Sequence, residues 1–311
     1  MKVFLPNDSR MNNIGGGWRF RDNLIKGANS MVDMEIVDNL EDSDISLIAG
    51  ATMILPETFT KLKEHGKVVL RLDGVPEAWR NSGRAWGRFK HYFTESDGVI
   101  CQSEFVRDST FRWLAQTVYD EKGYGKPWEV IMNGVDKDIF RNDGDRIDFG
   151  GDKFIVLNIN SRKDENKRIE EVIARYRFEK LKNPKLFLLL VGQYPTYLKE
   201  NDFGLYDYQR GQDWEYLGMK ADEKELAKIM RSCDEFWFPS FADPCPNVLI
   251  EAIHCGCYVK HWNDFGGVDD IMHLFGSREV VAENKGYDFS LQRMAKDYYL
   301  FFNEVLNGKN A

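Results

Sequence analysis

Four side chains offer the most distinctive chemistry: Arg162 and Lys167 in "SRKDENKRI", and Asp243 and Glu251 in "FADPCPNVLIEA". The two cations stand five positions apart, where an apolar run ends and a helical pattern begins. There a guanidinium fork and an ammonium point charge can both be aimed at one diphosphate. By itself this pair is weak, since basic residues at a helix start are often only solvated surface. The two acids stand eight positions apart across a loop-to-helix junction. Pro244 and Pro246 keep the loop extended, Asn247 is expected to cap the helix, and "VLIEAI" supplies its buried face. Asp243 then hangs in the loop while Glu251 lies about one turn into the helix, so both can face one ligand from different heights. An acid on an otherwise apolar helix is costly to bury without hydrogen-bond donors, and the hydroxyls of a sugar or ribose are such donors.

A further candidate is "IGGGWRFRDNLI", where glycines ahead of an amphipathic segment can bring backbone N–H groups close to an anion at a helix N-terminus. A dinucleotide fingerprint is not met. Its third glycine would be Phe20, and roughly nine residues of loop separate "VFL" from Gly15, whereas that motif turns directly out of its strand. A flexible loop is the other reading of this stretch.

These residues need elements to hold them. Short apolar runs ("KVFL", "MEIVD", "ISLIAGA", "KVVLRLDG", "GVICQS") alternate with helical spacing ("RFRDNLIKGANSM", "PETFTKLKEHG", "SEFVRDSTFRWLAQ") through the first half. Strand and helix repeated in this way predict an α/β fold with a parallel sheet covered on both faces. "RNDGDRIDFGGDK", Arg141 to Lys153, is rich in Gly and Asp and is the best linker candidate, which puts domains at 1–147 and 148–289. Beyond it the alternation restarts with "FIVLNIN", "LFLLLVG", "WEYLG", "EFWFPS" and "YVKHW" as strands, predicting a second doubly wound domain. The last amphipathic segment, about 290–311, can pack on either half. Two such domains are expected to face each other across a cleft, with ligands at the carboxyl ends of their strands.

Composition bounds the function. The chain has 311 residues, 43% hydrophobic and 30% charged, and a formal net charge of −8. That length suits two domains, and the charge disfavours nucleic acid or an anionic membrane as the main partner. Five Cys without a C-x-x-C pair, and a start without a cationic leader and apolar core, point to a reducing cytoplasm. No apolar run is long enough to span a membrane; "LFLLLVG" is strand length.

Taken together, "SFADPCPNVLIEAIHCGCYV", preceded by "WEYLG" and "DEFWFPS" and followed by "FGGVDDI", resembles the signature region of glycosyltransferase family 4. "GGGWRF", "ICQSEFVRD", "VIMNGVDKDIF" and "SRKDENKRI" fall in the order that family has them, so the resemblance covers nearly the whole chain. It implies the GT-B fold, two Rossmann-like domains, and retaining transfer of a hexose from a UDP- or GDP-sugar to a hydroxyl of a glycan or other acceptor. It also implies the roles. Arg162 and Lys167 match the pair that neutralises the leaving diphosphate, Asp243 the acid that holds the transferred sugar, and Glu251 the acid that holds the ribose. Backbone at Pro246, Asn247 and Val248 would add to the phosphate site, with Gly16 and Gly17 closing it from the other domain. The family's usual Glu is Asp243 here, one methylene shorter, and its small residue and Pro after the helix are Cys257 and Tyr258. Where many relatives carry a His, Arg71 and Asp73 occupy the neighbourhood; Asp73 is expected to orient acceptor or donor sugar, with Arg71 as its charge partner, the other reading being that the two simply satisfy each other and the turn at "DGVP". Trp79 and Trp86, among arginines, form an aromatic and basic patch that could stack on an acceptor sugar or a base, the other reading being a merely solvated segment.

No cofactor or metal is expected: the D-x-D spacings in "EDSD" and "DGD" lie in polar, surface-like stretches, and the Arg/Lys pair already supplies positive charge. Cys255, Cys257 and His254 read as packing residues. The competing reading is a nucleotide-sugar or glycan binding protein of the same fold without turnover. A modified nucleic acid as acceptor is disfavoured by the acidity.

Overall fold

The computed structural model describes residues 1–8, 16–75, 83–117, 125–160, 167–262, 266–274 and 287–308, without the side chains of 83–86 and 114–117. The chain forms two units, Met1–Val135 with Asp288–Ala311, and Asp136–Tyr287.

In the first unit, β1 (Lys2–Phe4), β2 (Glu35–Val37), β3 (Ile45–Ile48), β4 (Lys67–Leu72), β5 (Gly98–Cys101) and β6 (Trp128–Val130) make one sheet in the order β2-β1-β3-β4-β5-β6. Every pairing is parallel. The connections carry α1 (Gly16–Ala28), α2 (Pro56–His65), α3 (Gly83–Glu95) and α4 (Glu104–Thr117). Side-chain alternation along the strands divides the core in two. Ile48, Val68, Leu70, Leu72, Val99 and Cys101 pack with Phe59 and Leu62 of α2 and Phe89, Tyr92 and Phe93 of α3. Ile45, Leu47, Val69 and Ile100 face the other way.

In the second unit, β7 (Phe154–Asn160), β8 (Leu186–Gly192), β9 (Trp214–Tyr216), β10 (Glu235–Trp237) and β11 (Tyr258–Lys260) lie in the order β11-β10-β7-β8-β9, again all parallel. All seven residues of β8 are buried, as a continuous apolar strand inside a doubly covered sheet must be. The helices are α5 (Ile169–Lys182), α6 (Thr196–Glu200), α7 (Glu223–Arg231), α8 (Asn247–His254) and α9 (Gly267–Leu274). The Asp222 carboxylate caps α7 by accepting from the amides of Lys224 and Glu225, a device that stabilises a helix by about 1 kcal/mol.

The last helix, α10 (Leu291–Asn307), belongs to the first unit. Its Met294, Ala295, Tyr298 and Phe302 are buried with Phe20 and Leu24 of α1 against the second face of the sheet; the Phe20 and Tyr298 rings stand 5.5 Å apart. The Gly/Asp-rich segment expected to link the domains lies within the second unit, so the division falls at Val135/Asp136 instead of 147/148. Hydrogen bonds account for this. Arg231, ending α7, donates to the carbonyls of Ile139, Arg141 and Asp145, and the Ile147 amide donates to Ser232 Oγ at 2.6 Å. No described helix is long and apolar enough to cross a membrane.

Candidate functional site

In the second sheet the chain leaves β7 towards β8 and β9, but leaves the adjacent β10 towards β11 on the other side. Loops that depart in opposite directions from neighbouring strands open a crevice at the carboxyl edge. Lys167, just ahead of α5, stands on the loop after β7, and Asp243 on the loop after β10. Their side chains meet: Lys167 Nζ lies 2.5 Å from Asp243 Oδ2, each 16% exposed. The ammonium is also 5.6 Å from the centre of the Phe238 ring. A cation and a carboxylate this sheltered need a counter-charge, and each serves as the other's. Seventy-six positions of sequence separate these two residues; the β7–β10 adjacency removes that distance.

The backbone around Asp243 is gripped from a second direction. Ala242 is left-handed at φ 54°, a sparsely populated region for a residue with a Cβ. Gly266, at φ 129°, comes so close that a Cβ on it would stand 3.0 Å from both N and O of Asp243, and the Gly267 amide donates to the Asp243 carbonyl at 2.7 Å. The start of α9 therefore sets the height of the Asp243 loop.

Asn247 is the first residue of α8 and not its cap. Pro246 holds the cap position at φ −73°, ψ 106°, a conformation its ring favours, and its carbonyl accepts from the Leu249 and Ile250 amides at 3.0 and 3.4 Å. The amides of Asn247 and Val248 precede the first intrahelical bond; both residues are half-buried. Glu251 follows one turn later and is 3% exposed, deeper than Asp243. Lys167, Asp243, the start of α8 and Glu251 thus share the carboxyl side of one sheet. Arg162 lies outside the described residues.

The remaining expected residues are in the first unit. Gly16 and Gly17 open α1, and a Cβ on Gly17 would touch Met53 Sδ at 2.9 Å. Asp73 follows β4, half-buried, and packs so tightly on Gly50 that a Cβ there would collide with its carboxylate. Arg71 does not form an exposed acceptor contact. It is 1% exposed, with Nη1 donating to the Ala49 carbonyl at 2.9 Å, Nη2 to Gln102 Oε1 and Asn133 Oδ1 at 2.6 and 3.0 Å, and its guanidinium 3.8 Å from the centre of the Phe20 ring. The physical reason is its place inside β4, where the side chain enters a layer already closed by α1. Trp79 and the side chain of Trp86 lie outside the described residues; the backbone of Trp86 is in α3.

Cys255 and Cys257 are free and buried; burial pushes the Cys255 thiol up to about 12 and the Cys257 thiol higher still, which leaves no reactive thiolate. Asp42 and Asp44 of "EDSD" and Asp143 and Asp145 of "DGD" are exposed. Among the described residues no group of three His, Cys, Asp or Glu is arranged to hold a metal ion. The contacts that sequence spacing did not reveal are Gly266 and Gly267 behind Asp243, Gly50 behind Asp73, and Arg168, whose guanidinium lies 4.8 Å from the centre of the Phe241 ring. "FGG" was the visible trace of the first.

Residues 141–292, just under half of the chain and nearly all of the second unit, match the model of the family Glycosyl transferases group 1. No curated protein matches the chain. Among solved structures, HepE of Anabaena in complex with UDP and glucose superposes with a TM-score of 0.63 at 13% identity, over 98% of this chain and 89% of that one. Sucrose-phosphate synthase of Thermosynechococcus elongatus superposes with a TM-score of 0.66 at 14% identity, over 98% and 90%. An α,α-trehalose 6-phosphate synthase of Burkholderia multivorans reaches 0.57 at 15%, over 94% and 68%. At these identities the likeness is one of fold: two parallel-sheet, Rossmann-like α/β domains of the GT-B type.

Proposed function

We propose that the protein is a retaining glycosyltransferase that moves a hexose from a UDP- or GDP-sugar to a hydroxyl of a glycan or other acceptor. The observation that carries this reading is the Lys167–Asp243 pair, 2.5 Å apart at the switch point of the second sheet, within the segment that matches group 1 glycosyl transferases. The neighbouring fold of HepE, described in complex with UDP-glucose, supports a nucleotide-sugar donor.

In this reading the donor's diphosphate takes Lys167 away from Asp243, so one binding event supplies a cation to the phosphates and frees a carboxylate for the sugar hydroxyls. Arg162 adds a second cation, the amides of Asn247 and Val248 behind Pro246 add helix-end donors, Glu251 receives the ribose hydroxyls, and Gly16 and Gly17 approach the phosphates. The acceptor oxygen bonds to the anomeric carbon on the face from which the diphosphate departs, the carbon–oxygen bond to phosphate breaks, and the acceptor proton passes to the departing phosphate oxygen. Charge on the leaving group grows as that bond breaks, so Lys167 and Arg162 matter most in the transition state. They supply the positive charge without a metal, and no protein nucleophile is required. Asp73 orients the acceptor or the sugar, and Trp79 and Trp86 offer stacking surfaces for an acceptor. The thiol inventory fits a reducing cytoplasm.

A panel of UDP- and GDP-sugars tests this by thermal shift, since a ligand bound only by the native state raises Tm, and by release of nucleoside diphosphate with candidate acceptors. Retention is read from the anomeric configuration of the product by NMR. Absence of binding by every nucleotide sugar, or an inverted product, rejects the corresponding part; Asp73→Asn at full rate rejects the role of Asp73.

A further inference from the structure

Arg168 holds a backbone conformation that an arginine adopts at a cost. Its φ and ψ are 46° and 45°, left-handed, at the position that opens α5 without any side-chain cap. Glycine takes that conformation freely and an L-residue does not. Two contacts of its side chain bear on the site. Nη1 donates to Glu171 Oε1 at 2.8 Å, and the guanidinium lies 4.8 Å from the centre of the Phe241 ring. Glu171 is itself fixed, since its other oxygen accepts from Trp262 Nε1 at 2.8 Å, and that indole carries Arg175 over its face at 4.9 Å. Arg168 therefore ties a braced cluster on α5 to Phe241.

Phe241 stands two residues before Asp243, and the residue between them, Ala242, is the other left-handed non-glycine of this site. Two left-handed positions thus adjoin the Lys167–Asp243 ion pair along the chain, one next to each partner, and a guanidinium over an aromatic ring links their two loops. Strain concentrated in this way persists only where its surroundings over-determine it. The planar guanidinium suits such a seat, because it can stack on a ring and hydrogen-bond in its own plane at once.

We infer that Arg168 is a positioning residue for the donor sugar: by seating Phe241 it sets where the Asp243 carboxylate stands, and so how well the sugar is held relative to the bare nucleotide. This rests on the proposed donor site. Its effect falls on the sugar and not on the phosphates, whose cations lie on Lys167 and Arg162.

The test compares affinities for UDP and UDP-glucose, and for GDP and GDP-mannose, by calorimetry, using whichever pair the unmodified protein binds. In Arg168→Gly the backbone strain is relieved, so Tm is expected to hold or rise, and affinity for the bare nucleotide to stay within about twofold. The preference for the sugar nucleotide is expected to fall about tenfold, the size of a lost charged hydrogen bond, matching Asp243→Asn. Phe241→Ala should give the same fall, and the double variant no more, because both act through one contact. Should Arg168→Gly not fold, Phe241→Leu, which keeps the apolar seat and removes the ring face, carries the same expectation. An unchanged preference in Arg168→Gly and Phe241→Leu while Asp243→Asn lowers it overturns the inference alone. Equal loss of nucleotide and sugar nucleotide in Arg168→Gly also overturns it, since the side chain would then serve the phosphates or the fold. If the unmodified protein binds no UDP- or GDP-sugar of the panel, or Asp243→Asn leaves the preference intact, the donor-site reading fails and this inference falls with it.

Discussion

Arg71 and Lys167 are both cations at the carboxyl side of a parallel sheet, one in each unit, and their surroundings divide them. Arg71 is sealed in, and its two Nη atoms donate to neutral acceptors: a carbonyl of Ala49 and the side-chain oxygens of Gln102 and Asn133, with an aromatic face beneath. Those acceptors come from the ends of β3, β5 and β6, so the guanidinium fastens three loops of the first unit to β4. Lys167 instead meets a carboxylate at an edge that solvent still reaches. A cation distributed over neutral carbonyl-type oxygens has no reason to leave them. One matched with a single carboxylate can exchange it for a phosphate at little cost in charge balance. The chemistry of the counter-group, more than burial, separates a structural cation from an exchangeable one.

Breaking the exchangeable pair should produce the largest change. Lys167→Ala is expected to lower transfer by about 10²–10³-fold, the size seen when one transition-state donor is removed, with a smaller fall in Tm because Asp243 loses its counter-charge; steady-state turnover per folded molecule and a melting curve check both halves. Breaking the sealed cation should do the reverse. Arg71→Met removes a buried donor shared by three oxygens and is expected to cost about 3 kcal/mol of unfolding free energy, measured by urea denaturation, with nucleotide affinity per folded molecule unchanged. Gly50→Ala drives a Cβ into the Asp73 carboxylate, and overpacking of this kind costs about 2 kcal/mol; if Asp73 also serves the reaction, turnover falls further than the stability loss accounts for.

The smallest effect sharpens the comparison from the opposite edge of the first sheet. Asp97, just before β5, receives Lys63 Nζ at 2.5 Å, the Val68 amide at 2.9 Å and Lys67 Nζ at 3.2 Å. Burial by itself would raise its carboxyl, but these bonds outweigh burial and hold it below the usual carboxylate range. A carboxyl depressed in the folded state binds fewer protons there than in the unfolded chain. The stability it contributes is therefore present above the unfolded value, about 3.9, and lost as pH falls through the folded one. Asp97→Asn should flatten that acid limb, changing neutral-pH stability by no more than about 1 kcal/mol, with turnover untouched; urea titrations at several pH values read it out. A loss of turnover would show that amino-edge ion pairs are not merely structural.

Most elements were legible because their residues encode them locally. The all-apolar β8 could only be a strand inside a doubly covered sheet, and "DEKELAKIMRSC" carries both the stripe and the Asp222 cap of α7. The helix after "FADPCPN" was legible too, although its cap is Pro246 and not Asn247, because a proline's fixed φ serves the cap position without any side-chain acceptor. The linker was not legible. Gly and Asp suggested freedom, but the carbonyls of that segment accept from Arg231, a residue some ninety positions away. Arg71 was misplaced for the same kind of reason: beside Asp73 it looked like a partner in charge, and only the closeness of Gln102, Asn133 and Phe20 shows where its guanidinium goes.

By itself the sequence determined which residues carry charge, which runs are strands and helices, and that the cations and acids stand at strand-to-helix junctions, since propensity and periodicity act over a few residues. Tertiary structure alone decided that β10 lies beside β7, and with it that Lys167 touches Asp243, that Gly266 and Arg168 hold the loop between them, and that Arg71 is sealed away. Strand order is set by how whole sheets bury their faces, and no local pattern records it.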